Sequence, residues 1–514
     1  MHLTRGLHRA VQLNPDRVMT VDGTRTRTFA EAADRVARFA GALRALGVAK
    51  GDRVAMLALN SDRFSEYLLA VPWADAVLNP VNIRWSPAEI AYSLADSGTK
   101  VLLVDQVFAA MLPAIREQYP DLTTVIHCGD GPAPQGTLSY EELIATGAPI
   151  EDARRGGDEL AGIFYTGGTT GFPKGVMLTH ANLFASAMGS LATGDLFTPG
   201  GSYLHVAPMF HLADMCGWLT EVTLGGSHVF IPSFDPVATL RAIQEHRVTD
   251  SLLVPIMIQL LVDHPDAAGY DLSSLACIVY GASPIAQAVL ERAMKLFPNA
   301  GFTQAYGMTE LSPVATLLGP ADHAAGLLRS AGRPAPHSEV RVVDPEGNEV
   351  PRGTVGEIVA RGDHVMRGYW NKPEETAEAL RGGWMHTGDG GYMDENGYLF
   401  VVDRLKDMIV SGGENVYSAE VENAVAAHPA VATCAVIGVP DQEWGERVHA
   451  LILCHPGMTV TAEEIRTHAK TLIAGYKAPR SIELVEAMPV SGTGKILKRE
   501  LRERYWGDTD RQVH

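Results

Sequence analysis

Cysteine is scarce and unpatterned in this chain. The five cysteines, Cys128, Cys216, Cys277, Cys434 and Cys454, form no CxxC pair and are odd in number. That argues against a disulfide framework and a structural zinc site, and for reduced thiols in a cytoplasmic setting. Long apolar runs are also missing. No stretch of about eighteen apolar residues occurs, and the greasiest one, Leu252 to Val262, is broken by Pro255 and Gln259, so no membrane span is expected. Residues 1–9 contain no apolar h-region, so no signal peptide is expected. Positive charge is in deficit: 42 basic against 60 acidic residues leave a net charge of −18. Such a surface repels nucleic acid and every other anion, so any bound anion must be held by local basic groups.

What is present is length and alternation. A chain of 514 residues exceeds one core and implies two or more domains. Residues 28–43 space their apolar side chains at helical intervals. Arg53 to Leu59 and Val101 to Asp105 are short buried-strand runs with a helical stretch, Ala88 to Ala95, between them. Strand and helix in alternation imply an α/β fold with a parallel sheet. The Gly/Pro-rich passage 129–136 reads as a surface loop.

One stretch carries chemistry by composition alone. Tyr165-Thr-Gly-Gly-Thr-Thr-Gly-Phe-Pro-Lys-Gly175 packs four glycines, three threonines and a lysine behind the apolar run Leu160 to Phe164. Small residues let backbone N–H groups turn towards an anion, and threonine hydroxyls add donors. It is a phosphate cradle but not a Walker A loop, since Pro173 stands where that pattern needs glycine and Gly175 follows Lys174. Further along, Gln304-Ala-Tyr-Gly-Met-Thr-Glu310 offers an accessible aromatic, a hydroxyl and a hard oxygen ligand suited to Mg²⁺ beside phosphates. Ala276 to Ile285 reads as a strand ending in a turn, the place where open α/β sheets bind ligands. The remaining signals are Trp384-Met-His-Thr-Gly-Asp389, then Arg404-Leu-Lys-Asp407, and Pro489-Val-Ser-Gly-Thr-Gly-Lys495.

These motifs, in this order and across nearly the whole chain, resemble the adenylate-forming superfamily of acyl-CoA synthetases, peptide-synthetase adenylation domains and beetle luciferases. The usual loop carries serine where this chain has Gly167, so one hydroxyl is missing from the cradle. The resemblance implies a large N-terminal domain, 1–403, of stacked mostly parallel sheets with helices and a β-barrel-like subdomain. A hinge at 404–407 and a small mobile α+β domain at 408–514 would follow. It implies that Thr166, Gly167, Gly168, Thr169, Thr170, Gly171 and Lys174 cradle ATP phosphates, with Thr166 and Glu310 on Mg²⁺. Gly281, Ala282 and Ser283 would line the adenine edge, with Gln304, Ala305, Tyr306 and Gly307 beside them and Tyr306 stacked on the base. Thr309 would meet the α-phosphate, Asp389 the ribose hydroxyls and Arg404 the ribose or phosphate. Lys495 would reach the reacting carboxylate, and Lys406 is the hinge.

On the acyl side the resemblance points to His211, Tyr280 and Met308. A histidine at 211, where amino-acid-activating relatives carry aspartate, implies an acid without an α-amine. Asp214 follows three residues later, with its direction open. Tyr280 has two readings: a phenol that narrows the acyl pocket or meets a polar acyl group, and a ring packed in the core. For coenzyme A the implied residues are Ser411, Gly412, Gly413, Trp444, Tyr476 and Arg480, although Ala478 stands where an aryl-CoA ligase relative has arginine.

The implied reaction converts a carboxylic acid and ATP to acyl-AMP and pyrophosphate, then to acyl-CoA and AMP. Fatty acids of short to medium length and aryl or arylpropenoic acids are the leading substrates. The alternatives are a stand-alone enzyme loading a carrier protein, a luciferase-like oxygenase, and a non-catalytic nucleotide sensor, which should lack Lys495 and Glu310. Homodimers are common among relatives.

Overall fold

The structure is a computed structural model that describes residues 1–166, 173–283, 285–404, 407–411, 414–441, 444–490 and 496–506, apart from the side chains of Arg404 and Asn415. Two large sheets organise the N-terminal part. The first has eight strands, in the order 368–369, 174–179, 160–166, 77–80, 53–57, 101–104, 124–127, 138–139. The second has nine, in the order 333–334, 316–318, 301–306, 277–281, 250–253, 202–205, 227–230, 18–22, 25–28. Their central strands run parallel. Strands such as Val77–Pro80 and Val101–Val104 are buried throughout, as a parallel sheet covered on both faces requires.

Helices fill the space between the sheets. In helix Asp62–Trp73 all residues are buried, so it has no solvent face at all. Trp218 of helix Leu212–Leu224 donates its indole N–H to Ser65 Oγ at 2.8 Å and ties the two helices together. Fully burying a side chain such as Phe64 or Leu68 contributes about 1.5–3 kcal/mol. The charged residues this helix carries inward are paired: Glu66 with Arg35 at 2.5 Å and Asp62 with Arg25 at 3.0 Å. Helix Phe29–Ala45 begins at Thr28 through a reciprocal capping box with Glu31, worth about 0.5–2 kcal/mol.

The greasiest stretch of the sequence splits, as its breakers dictate. Asp250–Leu253 is a core strand and Pro255–Val262 a helix with proline in its first turn. No helix among the described residues is long and apolar enough to cross a membrane. A four-stranded antiparallel sheet (339–343, 356–361, 385–393, 399–404) forms the barrel-like subdomain.

The chain leaves that sheet at Arg404 and enters a separate one at Ile409. This C-terminal sheet has five strands and a core of its own, built from Ile409, Val421, Val436, Ala450 and Ile465. Side-chain hydrogen bonds join the two parts. Asp403 Oδ2 accepts the Ser418 N–H and hydroxyl, and Gln259 donates to the Ala432 carbonyl at 3.0 Å.

Candidate active site

The phosphate-cradle sequence is the tip of a hairpin. Strand Leu160–Thr166 returns antiparallel as Lys174–Thr179, with Thr166 opposite Lys174 and Tyr165 opposite Gly175. Gly167, Gly168, Thr169, Thr170 and Gly171 lie outside the described residues. The hairpin base is pinned from both sides. Tyr165 donates its hydroxyl to Asp96 at 2.6 Å, and the Trp370 N–H meets the Gly175 carbonyl at 2.7 Å. Burial, reinforced by Asp96, pushes the Tyr165 phenol above its ordinary range, so it stays a neutral donor. Lys174 Nζ sits 5.2 Å from the centroid of the Tyr369 ring, a cation–π contact, and the Tyr369 hydroxyl donates to Glu310 Oε1 at 2.8 Å. The lysine of one motif and the carboxylate of another are thus joined through a tyrosine that the sequence reading passed over. Its signal was available: an aromatic beside Gly368, the same signature that singled out Tyr306.

Gly281, Ala282 and Ser283 follow strand Cys277–Gly281, whose neighbour Gly301–Tyr306 supplies Gln304, Ala305 and Tyr306. The approach is too close for a side chain: a Cβ on Gly281 would stand 2.2 Å from the Ala305 carbonyl oxygen. A Cβ on Gly307 would stand 2.0 Å from that of Pro313. Thr309 and Glu310 occupy a short 3₁₀ turn, and the Met366 N–H bonds the Glu310 carbonyl at 2.9 Å. Tyr306 donates its hydroxyl to Asp389 Oδ2 at 2.7 Å. The Asp389 N–H is itself held by Thr387 Oγ1 at 3.1 Å, and Asp389 stands opposite Arg404 in the antiparallel sheet.

On the acyl side, His211 precedes helix Leu212–Leu224 with its ring 4.1 Å from that of Phe210. Asp214 turns into the core, 2.6 Å from His205 Nδ1 and 3.3 Å from the Tyr203 hydroxyl. Met308 packs against the core edge and borders the cleft. Tyr280 borders the cleft and its ring is also packed into the core, so the structure bears on both readings. Strand alternation puts Val279 on the face that carries Tyr203 and Asp214, and Tyr280 on the opposite one. There the fully buried ring lies against Phe302 and donates its hydroxyl to His323 Nε2 at 2.8 Å. The His323 Nδ1–H is committed to the Gly319 carbonyl at 2.8 Å, which sets the tautomer.

In the C-terminal part, Arg480 stacks over Trp444 with its guanidinium carbon 3.9 Å from the ring centroid. Tyr476 is 44% exposed, and Ser411 is buried in strand Ile409–Ser411. Lys406, Gly412, Gly413 and Lys495 lie outside the described residues. Lys498, three residues beyond Lys495, is no solvated tail residue. Its ammonium reaches Glu422 at 2.8 Å and Ser418 Oγ at 2.6 Å. Arg502 likewise bonds Asp407 at 2.5 Å.

Both parts border one cleft of about 2600 Å³, which takes in Thr166, Lys174, Ser283, Tyr306, Thr309, Glu310 and Asp389 on one side and Glu422, Val490 and Ile496 on the other. Thr166 and the Glu310 carboxylate are hard oxygen donors on its wall, and no cluster of three or more metal-ligating side chains occurs among the described residues. That donor set fits Mg²⁺, which takes one or two protein oxygens and completes its shell with phosphates and water.

Comparison with known proteins agrees with this arrangement. Residues 7–370 match the model for AMP-binding enzymes, and residues 420–495 that for the AMP-binding enzyme C-terminal domain. The chain is 41% identical over 499 residues to a feruloyl-CoA synthase of an Amycolatopsis species, covering 97% of this chain and 98% of the relative. It is 37% identical over 497 residues to a fatty acid–[acyl-carrier-protein] ligase of Streptomyces coeruleorubidus, covering 95% and 94%. Among solved structures, ATP-bound MatB from Rhodopseudomonas palustris superposes with a TM-score of 0.89 at 30% identity, covering 99% and 100%. The phosphate hairpin, the Tyr306–Asp389 pair and the second small domain therefore have one explanation: the chain belongs to the AMP-binding enzyme family, the adenylate-forming acid–CoA ligases.

Proposed function

We propose that this cleft carries out both halves of an acyl-CoA ligation, with Mg²⁺ and coenzyme A as the other reactants' partners. A substrate carboxylate oxygen attacks the α-phosphorus of ATP, pyrophosphate leaves, and acyl-AMP remains. Carboxylate and phosphate are both anionic, so charge neutralisation is the main contribution. Lys174, Thr309 and Lys495 provide it from this chain, while Mg²⁺ on Glu310 and Thr166 neutralises phosphate charge when bound. Tyr306 stacks on the base, and Asp389 and Arg404 hold the ribose. In the second half the CoA thiolate attacks the acyl carbon and AMP leaves. For this Lys495 must withdraw, and rotation at Lys406 within the 404–407 hinge would bring Ser411, Gly412 and Gly413 to the site instead.

The observation that carries this reading is that Lys174, linked through Tyr369 to Glu310, and the Tyr306–Asp389 pair border the same cleft. The Trp444–Arg480 stack favours CoA, with an aromatic face for its adenine and a cation for its phosphates. A second reading, loading of a carrier protein, draws on the relative named as an acyl-carrier-protein ligase. Thioester formation with CoA alone separates the two. Lys495→Ala should abolish acid-dependent ATP–pyrophosphate exchange yet leave thioester formation from supplied acyl-AMP largely intact. Equal loss of both half-reactions would refute the division of roles.

A further inference from the structure

We infer that His323 is a positioning residue for the nucleotide: through the Tyr280 hydroxyl it braces the turn 281–283 and keeps the strained Ala282 in the shape that receives the base. The inference rests on the nucleotide-binding reading above and adds to it a residue that stands outside every motif of the sequence.

The strain comes first. Gly281, Ala282 and Ser283 border the cleft together with Tyr306. Ala282 has a φ of +68°, in the left-handed region that glycine enters freely and alanine only against its own Cβ. Such a backbone persists where its surroundings over-determine it. One constraint is the neighbouring strand Gly301–Tyr306, which pairs with Gly281 at Ala305 and leaves no room for a Cβ at Gly281. The other is the side chain just before the turn.

That side chain is anchored at its tip. The Tyr280 ring is fully buried against Phe302, and its hydroxyl lies 2.8 Å from His323 Nε2. The direction of the bond is settled by the far side of the imidazole. His323 Nδ1 stands 2.8 Å from the Gly319 carbonyl, which can only accept, so Nδ1 carries the proton and Nε2 receives the tyrosine's. Burial holds the imidazole below its ordinary range, which favours the neutral ring this bond needs. The support beneath His323 is fixed in turn. Its short helix Pro320–Ala324 packs on the start of strand Gly301–Tyr306, where a Cβ on Gly301 would stand 3.0 Å from Pro320 Cγ. Asp322 Oδ1 accepts the Tyr398 hydroxyl at 2.6 Å and ties the helix to the antiparallel sheet that carries Asp389. The brace thus runs from the sheet that holds the ribose carboxylate to the turn beside the base.

The test is the Kd of the full chain for ATP and for inorganic tripolyphosphate, which lacks the base, by titration calorimetry. Without the brace Ala282 relaxes out of the left-handed region and only a fraction of molecules hold the turn ready, so His323→Leu and Tyr280→Phe should each weaken ATP about tenfold. The two changes together should cost no more than either alone, because they cut the same bond. Tripolyphosphate should bind both variants as it binds the wild type. Adding Ala282→Gly to either variant should recover most of the loss, since glycine adopts that backbone unaided, and a general loss of folding would not respond in this way. Tyr280→Phe keeps the ring against Phe302 and carries the test by itself if His323→Leu does not fold. Unchanged ATP affinity in Tyr280→Phe overturns the inference, as does a loss shared by tripolyphosphate or one that Ala282→Gly leaves in place. A wild type that binds ATP no more tightly than tripolyphosphate sinks the nucleotide-binding reading itself.

Discussion

Replacing Lys498 by methionine isolates the anchor that ties the last helix, Lys498–Trp506, to helix Ser418–Ala426. Lys498 Nζ lies 2.8 Å from Glu422 Oε1, and the two side chains are only 16% and 21% exposed. Burial pulls the lysine down, but Glu422, Asp403 and Asp407 together hold the ammonium above its ordinary range. For Glu422, burial pushes the carboxyl up and Lys498 only partly restores it. Breaking a buried pair from one side costs about 3–5 kcal/mol, because the other charge is left unpaired. With about a fifth of each side chain still wetted, about 2–3 kcal/mol is a fair figure here. For a unit of about 100 residues that lowers its own melting transition by about 10–20 °C. Methionine also removes what opposed burial at Glu422, so the carboxyl prefers its neutral form still more. The gap between variant and wild type is then widest near pH 8 and narrows towards pH 5, as Glu422 takes up its proton. Adding Glu422→Gln should recover most of the loss at pH 8. Calorimetric melts across this range check it. A Lys498→Met transition within about 2 °C of the wild type at pH 8, or a gap that does not narrow, refutes the reasoning.

Two further outcomes are expected. Tyr306→Phe removes a hydrogen bond to the Asp389 carboxylate worth about 1.5–3 kcal/mol, so the KM for ATP in pyrophosphate exchange should rise about tenfold or more. In an Asp389→Ala background the same change should add almost nothing, and additive losses would disprove the coupling. Glu221 is fully buried, and neither of its carboxyl oxygens has a hydrogen-bond partner among the described residues. Burial first, then the Asp250 charge, pushes it from 4.5 up to about 8, with Arg17 pulling slightly the other way. The native state therefore holds an extra proton between those values, and wild-type stability should fall as pH rises through that window. Glu221→Gln should flatten the fall in Tm, and an undiminished fall would assign it to another group.

The local chemistry was readable from the chain alone. A cluster of glycines and threonines ending in lysine has the composition of an anion cradle, and Gly281 and Gly307 sit where no Cβ fits. Apolar runs such as Val101 to Val104 reveal a covered parallel sheet because burial on both faces leaves no polar alternation. Contacts between distant positions were not readable, because they depend on strand order and register, which the packing of the whole molecule decides. Tyr306 meets Asp389 across 83 residues, and Lys174 and Glu310 share Tyr369, only once both sheets and the antiparallel subdomain are assembled. Register likewise sets the Tyr280 ring against Phe302 and His323 on the face opposite Val279, since a one-residue step along a strand exchanges one side of a sheet for the other. Lys498 reads as one more charge in a basic run until the C-terminal fold sets Glu422 beside it. Residue type declares what a group can do, and tertiary structure decides which group it does it with.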